Sequence, residues 1–83
     1  MDKTVRMYTL STCSHCKAAK QFMKDHDIRT LCTDVDLLTG EERKAMIEEV
    51  KKYNPACSFP TILIGDQIII GFNELAIREA LRI

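Results

Sequence analysis

The stretch L-S-T-C-S-H-C-K-A-A-K-Q-F, residues 10–22, decides how the rest of the chain is read. Just before it, V-R-M-Y-T (Val5–Thr9) is β-branched and aromatic, the composition of a strand. From Ser14 onward Ala18, Ala19, Phe22 and Met23 recur at helical spacing, with Lys17, Lys20 and Lys24 set toward solvent. A strand running into a helix through C-S-H-C puts Cys13 at the helix N-terminus and Cys16 nearly one turn later on the same face. Such a pair can be a metal clip, a structural disulfide, or a dithiol that cycles between its two oxidation states.

The flanking sequence supplies the rest of the architecture. R-T-L-C-T-D-V (Arg29 to Val35) alternates Leu31, Thr33 and Val35 against Cys32 and Asp34, which predicts a second strand. Thr39 followed by Glu42 is a capping-box signature, and Met46, Ile47, Val50 and Tyr53 continue it as an amphipathic helix. Asn54-Pro55 ends that helix, because proline disfavours helical geometry in the residue before it. T-I-L-I-G-D-Q-I-I-I reads as a hairpin turning at Gly65-Asp66. Asn73 caps a last helix whose expected buried stripe is Leu75, Ile77, Ala80 and Leu81. The order is βαβαββα. Its opening βαβ implies parallel strands joined by a right-handed crossover, and the hairpin adds antiparallel ones. The fold class is therefore α/β, a four-stranded mixed sheet flanked by helices.

Length and charge bound the function. Eighty-three residues make a single domain, 1–83. Twelve basic residues balance twelve acidic ones. Nucleic acids and anionic membranes are poor partners for such a chain, since binding them needs surplus Lys and Arg. No apolar run approaches a membrane span, and M-D-K-T-V-R-M-Y-T-L lacks the apolar core of a signal peptide, so a cytoplasmic monomer is expected. In that compartment thiols are kept reduced. Four cysteines then point to chemistry or metal binding rather than to a disulfide framework.

At a helix N-terminus, unsatisfied N–H groups favour an anion, and the thiolate is the reactive form of cysteine. Cys13 is thus the candidate nucleophile, and Cys16, more buried and less ionised, the candidate resolving thiol. His15 is a candidate for tuning the Cys13 thiolate, and Lys20, one turn beyond Cys16, for adding positive potential or meeting an acidic partner. Lys17 reads as a solvated helix residue. Ser11 and Thr12 have no Ser–His–acid constellation around them and read as loop or capping residues. Asp34 and Asp36 share a strand face near a loop and read as a solvated strand end. Cys32 reads as buried filler of its strand. Cys57, in P-A-C-S-F-P, lies in a loop expected to approach the active site, either as packing or as a regulatory thiol.

M-Y-T-L-S-T-C-S-H-C-K-A-A-K-Q-F, the later S-F-P-T-I-L-I-G-D-Q-I-I-I-G-F-N-E, and the βαβαββα order between them resemble the glutaredoxin-like proteins of the thioredoxin superfamily. The resemblance spans essentially the whole chain. It implies a thioredoxin-like fold and a thiol–disulfide oxidoreductase. It also implies that Pro60 is cis and faces the cysteines, leaving the backbone of Phe59 free to pair with a peptide or with glutathione. The substrate- or partner-binding residues it implies are Thr12, Lys20, Phe59, Pro60, Thr61, Gly71, Phe72 and Asn73. Dithiol glutaredoxins commonly carry C-P-Y-C, where Ser14-His15 stands here. They often place lysine where Leu10 stands and G-G-x-D where Gly71-Phe72-Asn73-Glu74 stands. The G-F form and the C-x-x-C-x-x-x-K spacing ending at Lys20 are similar to the NrdH-type redoxins, which a flavoprotein reductase reduces. The expected partners are disulfide-containing proteins, with a flavoprotein reductase or glutathione as electron donor. No tightly bound cofactor is expected, and glutathione is a candidate co-substrate.

Three other uses of the same cysteines compete with this one. A metal-binding module would recruit Cys32, Cys57, His15 or His26, yet no second close pair of ligands accompanies Cys13 and Cys16. An iron–sulfur form would share a cluster between two chains and two glutathiones. A redox-sensing interaction protein would use the dithiol as a switch.

Overall fold

The computed structural model of the chain describes residues 4–83. The residues before Thr4, which carry part of the expectations for the N-terminus and for the domain limit, lie outside the described residues. Strand β1 (Val5–Thr9) leads into helix α1 (Ser14–Asp25), and strand β2 (Thr30–Asp34) passes through a short 3₁₀ turn (Val35–Leu37) into α2 (Gly40–Tyr53). The hairpin β3 (Thr61–Ile64) and β4 (Gln67–Ile70) precedes α3 (Glu74–Leu81). The sheet order is β2-β1-β3-β4, with β1 parallel to β2 and antiparallel to β3. This is the mixed four-stranded sheet of a thioredoxin-like fold. Its hairpin turns at Gly65, whose φ of 57° suits a residue without a Cβ.

Strand alternation sorts the core into two layers. Val5 and Met7 of β1, with Ile62, Ile64 and Ile69 from the hairpin, pack against Ala19, Phe22 and Met23 of α1 and Ile77 and Ala80 of α3. The opposite face carries Tyr8, which joins Val35 and Val50, with Met46, Ile47 and Tyr53 of α2 packed around them. Helices therefore cover both faces, and β1 runs through the middle. Its C-terminal end, where α1 begins, is flanked by the ends of β2 and β3.

Five local expectations need correction. Cys32 is exposed, not buried filler, and Leu31 beside it is 59% exposed. The reason is position: β2 is an edge strand paired only with β1, so neither face of it is fully covered. Its regular part is also shorter than the expected 29–35, because Val35 turns into the 3₁₀ segment. Ala18 is exposed, and α1 buries Cys16, Ala19, Phe22 and Met23 instead. Leu75 is 69% exposed, since 3.6 residues per turn set it about 200° round α3 from Ile77. Ala76 packs on the core in its place. Finally, Thr39 occupies the N-cap of α2 but its side chain makes no capping hydrogen bond, the chain entering the helix through Gly40 at φ 56°.

Candidate active site at the end of the central strand

Cys13 is the N-cap of α1, in extended geometry (φ −82°, ψ 123°), so its side chain turns back over the first helical turn. Its Sγ accepts the N–H of Cys16 at 3.4 Å. Its own N–H donates to the Leu10 carbonyl at 3.2 Å. The Cys13 thiol is held below the ordinary thiol range, chiefly by a hydrogen bond from the Cys16 thiol and then by the Cys16 N–H, against a small opposing effect of burial. Residue 15 contributes through its main-chain N–H, while the imidazole of His15 stands exposed.

Cys16 is fully buried and its Sγ accepts the N–H of Leu10 at 3.4 Å. Burial pushes its thiol up to about 11, and the neighbouring Cys13 adds to the rise, while the Leu10 N–H and the charge of Lys20 oppose it. One sulfur is thus accessible and favoured as an anion, and its neighbour is enclosed and held neutral. That pairing can form a bond outward through Cys13 and then close inward through Cys16.

The turn between β1 and α1 is gripped from the side by β2 and the segment after it. Thr9, fully buried, donates its hydroxyl to Asp34 Oδ1 at 2.5 Å. Ser11 sends its N–H to Asp36 Oδ1 at 2.9 Å and its hydroxyl to Oδ2 at 2.5 Å. Asp34 and Asp36 therefore bind the active-site turn and do not form a solvated strand end. Lys20 reaches Asp34 Oδ1 at 2.7 Å, so the acidic group it meets is in its own chain. Cys32 Sγ lies 3.2 Å from the same Thr9 hydroxyl. The only sequence signal for this network is D-x-D at the end of a strand, which has many other meanings.

The other side of the turn is built by the segment before β3. Tyr8 pairs with Thr61, and extending this antiparallel register sets Pro60 beside Thr9 and Phe59 beside Leu10. Leu10 and Phe59 both pack on the Tyr8 cluster. The Phe59–Pro60 peptide is cis, and the Pro60 carbonyl accepts the N–H of Gly71 at 2.8 Å, with Gly71 at φ 82°. Cys57 is half-buried against the Tyr8 cluster, its N–H donating to the Asn54 carbonyl at 2.8 Å. Asn54 was legible only as a helix terminator. In fact it is a buried hub: its Nδ2 donates toward Ser58 O (3.1 Å), Ser58 Oγ (2.9 Å) and Thr61 Oγ1 (3.1 Å).

Several residues implied as binding groups have structural tasks. Thr61 is buried, and its hydroxyl donates to the Ser58 carbonyl at 2.8 Å. The Phe72 ring meets Phe22 edge-on, centroids 6.0 Å apart. Asn73 caps α3 through Oδ1, which accepts the N–H of Ala76 at 3.1 Å. Thr12 is exposed in the turn before Cys13. Among the described residues no three His, Cys, Asp or Glu side chains gather as a metal centre would require, and no helix is long and apolar enough to cross a membrane.

Comparison with known proteins agrees with this geometry. The glutaredoxin sequence family matches residues 5–69. The chain is 30% identical over 73 residues to a glutaredoxin-like 8.6 kDa protein in the rubredoxin operon of Clostridium pasteurianum, covering 88% of this chain and 91% of that one. Among solved structures, Methanosarcina acetivorans methanoredoxin superposes with a TM-score of 0.91 at 41% identity, covering 96% of this chain and 85% of the other. A glutaredoxin of Archaeoglobus fulgidus gives 0.89 at 40% identity, covering 94% and 85%.

Proposed function

The chain belongs to the glutaredoxin family, and from that membership we propose a thiol–disulfide oxidoreductase in which Cys13 is the nucleophile and Cys16 the resolving thiol. The observation that carries the proposal is the unequal setting of two neighbouring sulfurs: Cys13 at the N-cap of α1, partly exposed and accepting the Cys16 N–H, and Cys16 fully buried, with the thiol of the first lowered and that of the second raised accordingly. The Cys13 thiolate attacks one sulfur of a disulfide, forms a mixed disulfide and expels the other sulfur as a thiolate, which takes from water the proton that Cys13 had released. Once bonded, Cys13 no longer accepts the hydrogen bond of the Cys16 thiol. Cys16 gives its proton to the departing sulfur and attacks Cys13 Sγ, leaving Cys13–Cys16 oxidised and the substrate reduced by two electrons to two thiols. Two thiols of a donor then return the pair to its starting state.

The Phe59–Pro60 segment beside the active-site turn, with Gly71 held against the Pro60 carbonyl, is where we assign the incoming disulfide, its main chain pairing along Phe59. Two donors satisfy the electron balance: glutathione, and a flavoprotein reductase acting through its own dithiol. The chain would act in the cytosol on protein disulfides as a monomer. Stopped-flow reduction of a disulfide substrate, with mass spectrometry of acid-quenched samples, tests the reading. Cys16→Ser should accumulate a substrate adduct on Cys13, and Cys13→Ser should abolish exchange. Exchange undiminished in Cys13→Ser would refute it. Turnover with glutathione and its reductase, set beside a thioredoxin-reductase system, assigns the donor.

A further inference from the structure

The main chain of Leu10 bonds to both cysteines. Its N–H donates to Cys16 Sγ at 3.4 Å and its carbonyl accepts the N–H of Cys13 at 3.2 Å. It lies in a turn, where no helical or sheet ladder fixes its amide. What fixes it are its two neighbours. Thr9 is tied to Asp34, and Ser11 is tied by two bonds to both oxygens of Asp36. Asp34 and Asp36 are themselves separated by Val35, which is 2% exposed and anchored in the Tyr8 cluster. Two carboxylates on one buried anchor therefore grip the chain on either side of Leu10.

We propose that Asp34 and Asp36 are positioning residues for the resolving step: by holding Thr9 and Ser11 they keep the Leu10 amide aimed at Cys16 Sγ. The proposal rests on the exchange chemistry assigned above and concerns only its second half. As Cys16 gives up its proton, negative charge develops on a sulfur enclosed by protein, and a fixed N–H is worth most where water is excluded. A loose turn would let that amide leave the sulfur for solvent. Cys13 is less dependent on the grip, because its strongest partners are the Cys16 thiol and N–H on the helix itself.

The grip has a sign that distinguishes it from simple electrostatics. A nearby carboxylate disfavours a thiolate, so removing its charge alone would ease the ionisation of Cys16 and speed resolution. Removing a positioning residue does the opposite. The charged groups around the pair are Lys20, bonded to Asp34, and Arg43, whose charge favours the ionised Asp36.

The test is a rapid-quench reaction of the reduced protein with hydroxyethyl disulfide, with Cys13 adduct and internal disulfide counted by mass spectrometry. Asp36→Ala should slow conversion of adduct to internal disulfide roughly tenfold, the low end for losing a hydrogen bond to a charged acceptor. Adduct formation should stay within about twofold, because the first-step donors are untouched. Asp36→Asn, which still offers Ser11 an acceptor oxygen, should recover most of the rate. Ser11→Ala, a small change in a surface turn, should slow resolution less than Asp36→Ala and keeps the test open if that variant does not fold. Resolution at or above the original rate in Asp36→Ala or Ser11→Ala overturns the proposal, as does Asp36→Asn being as slow as Asp36→Ala. Failure of the unaltered protein to form any Cys13 adduct would instead overturn the exchange chemistry, and the grip with it.

Discussion

Replacing Asn54 by Ala should destabilise the protein far more than a residue at the end of a helix ordinarily would. The side chain is 1% exposed, and its amide nitrogen faces three acceptors, Ser58 O, Ser58 Oγ and Thr61 Oγ1. Two N–H bonds give two full hydrogen bonds, about 1 kcal/mol each net, and the emptied space adds lost packing, for a total of about 2–3 kcal/mol. An 83-residue domain has a total stability of about 4–12 kcal/mol, so the change is a large share of it. In urea the midpoint should fall by about 1.3–2 M at an m-value near ~1.5 kcal/mol/M, with m itself unchanged. Asn54→Asp should be worse, since it keeps the shape, removes both donors and sets a carboxylate against the Ser58 carbonyl. Because the same bonds hold the segment carrying Phe59 and Pro60, KM for a disulfide peptide should rise while the maximal rate stays within about twofold. A stability loss under ~0.5 kcal/mol would refute the reasoning, because the amide would then not be supporting the loop.

Alkaline stability follows from Cys16. Its folded thiol holds the proton to about 11, whereas an unfolded one releases it near ~8.5. That contribution is complete below the unfolded value and lost as pH rises toward 11; Cys13, shifted downward, contributes above the unfolded value and loses its part as pH falls. Reduced protein should therefore weaken across that alkaline window relative to Cys16→Ala in urea titrations, and equal slopes would contradict the burial effect. Lys20→Met should cost less than ~1 kcal/mol, because the pair with Asp34 is partly solvated, yet it should raise the Cys16 thiol further, seen as slower alkylation of Cys16 in a Cys13→Ser background. His15→Val keeps the main-chain N–H that serves Cys13, so iodoacetamide titration of Cys13 should stay in place; an upward shift would assign the imidazole a direct share.

The elements were legible because their signals are local. V-R-M-Y-T, the 3.6-residue spacing after Ser14, Gly65-Asp66 between two apolar runs, and Asn73 before a short amphipathic run each report on their own neighbours, and each element formed where its signal lies. What failed was burial that depends on distant neighbours. Cys32 lies in its strand as expected, but whether that strand is central or at an edge is decided by β3 and β4, some thirty residues on. The dithiol itself was legible, since strand, turn and helix N-terminus are contiguous. Its supports were not. Asp34, Asp36 and Asn54 carry no pattern separating a buried acceptor or donor from a solvated one: the aspartates acquire their partners only once β1 lies beside β2, and Asn54 only once the loop to Thr61 folds back on it.

The division of labour between the two sulfurs follows from where the chain changes from strand to helix. A strand residue offers its N–H and C=O sideways and a helix N-terminus offers its N–H groups along the axis, so a turn of Leu10 to Cys13 presents donors in both directions. Cys13, at the N-cap, collects the axial N–H of Cys16, and Cys16, one turn in, collects the sideways N–H of Leu10. Each sulfur is served by the residue that carries or precedes the other. Moving either cysteine by one position would turn its sulfur away from the N–H that serves it, so the pairing depends on spacing rather than composition. In the exchange proposed above, the unequal enclosure of the two sets the order of events: the more exposed sulfur would meet the substrate first, and the enclosed thiol would act only after its neighbour has ceased to be an anion.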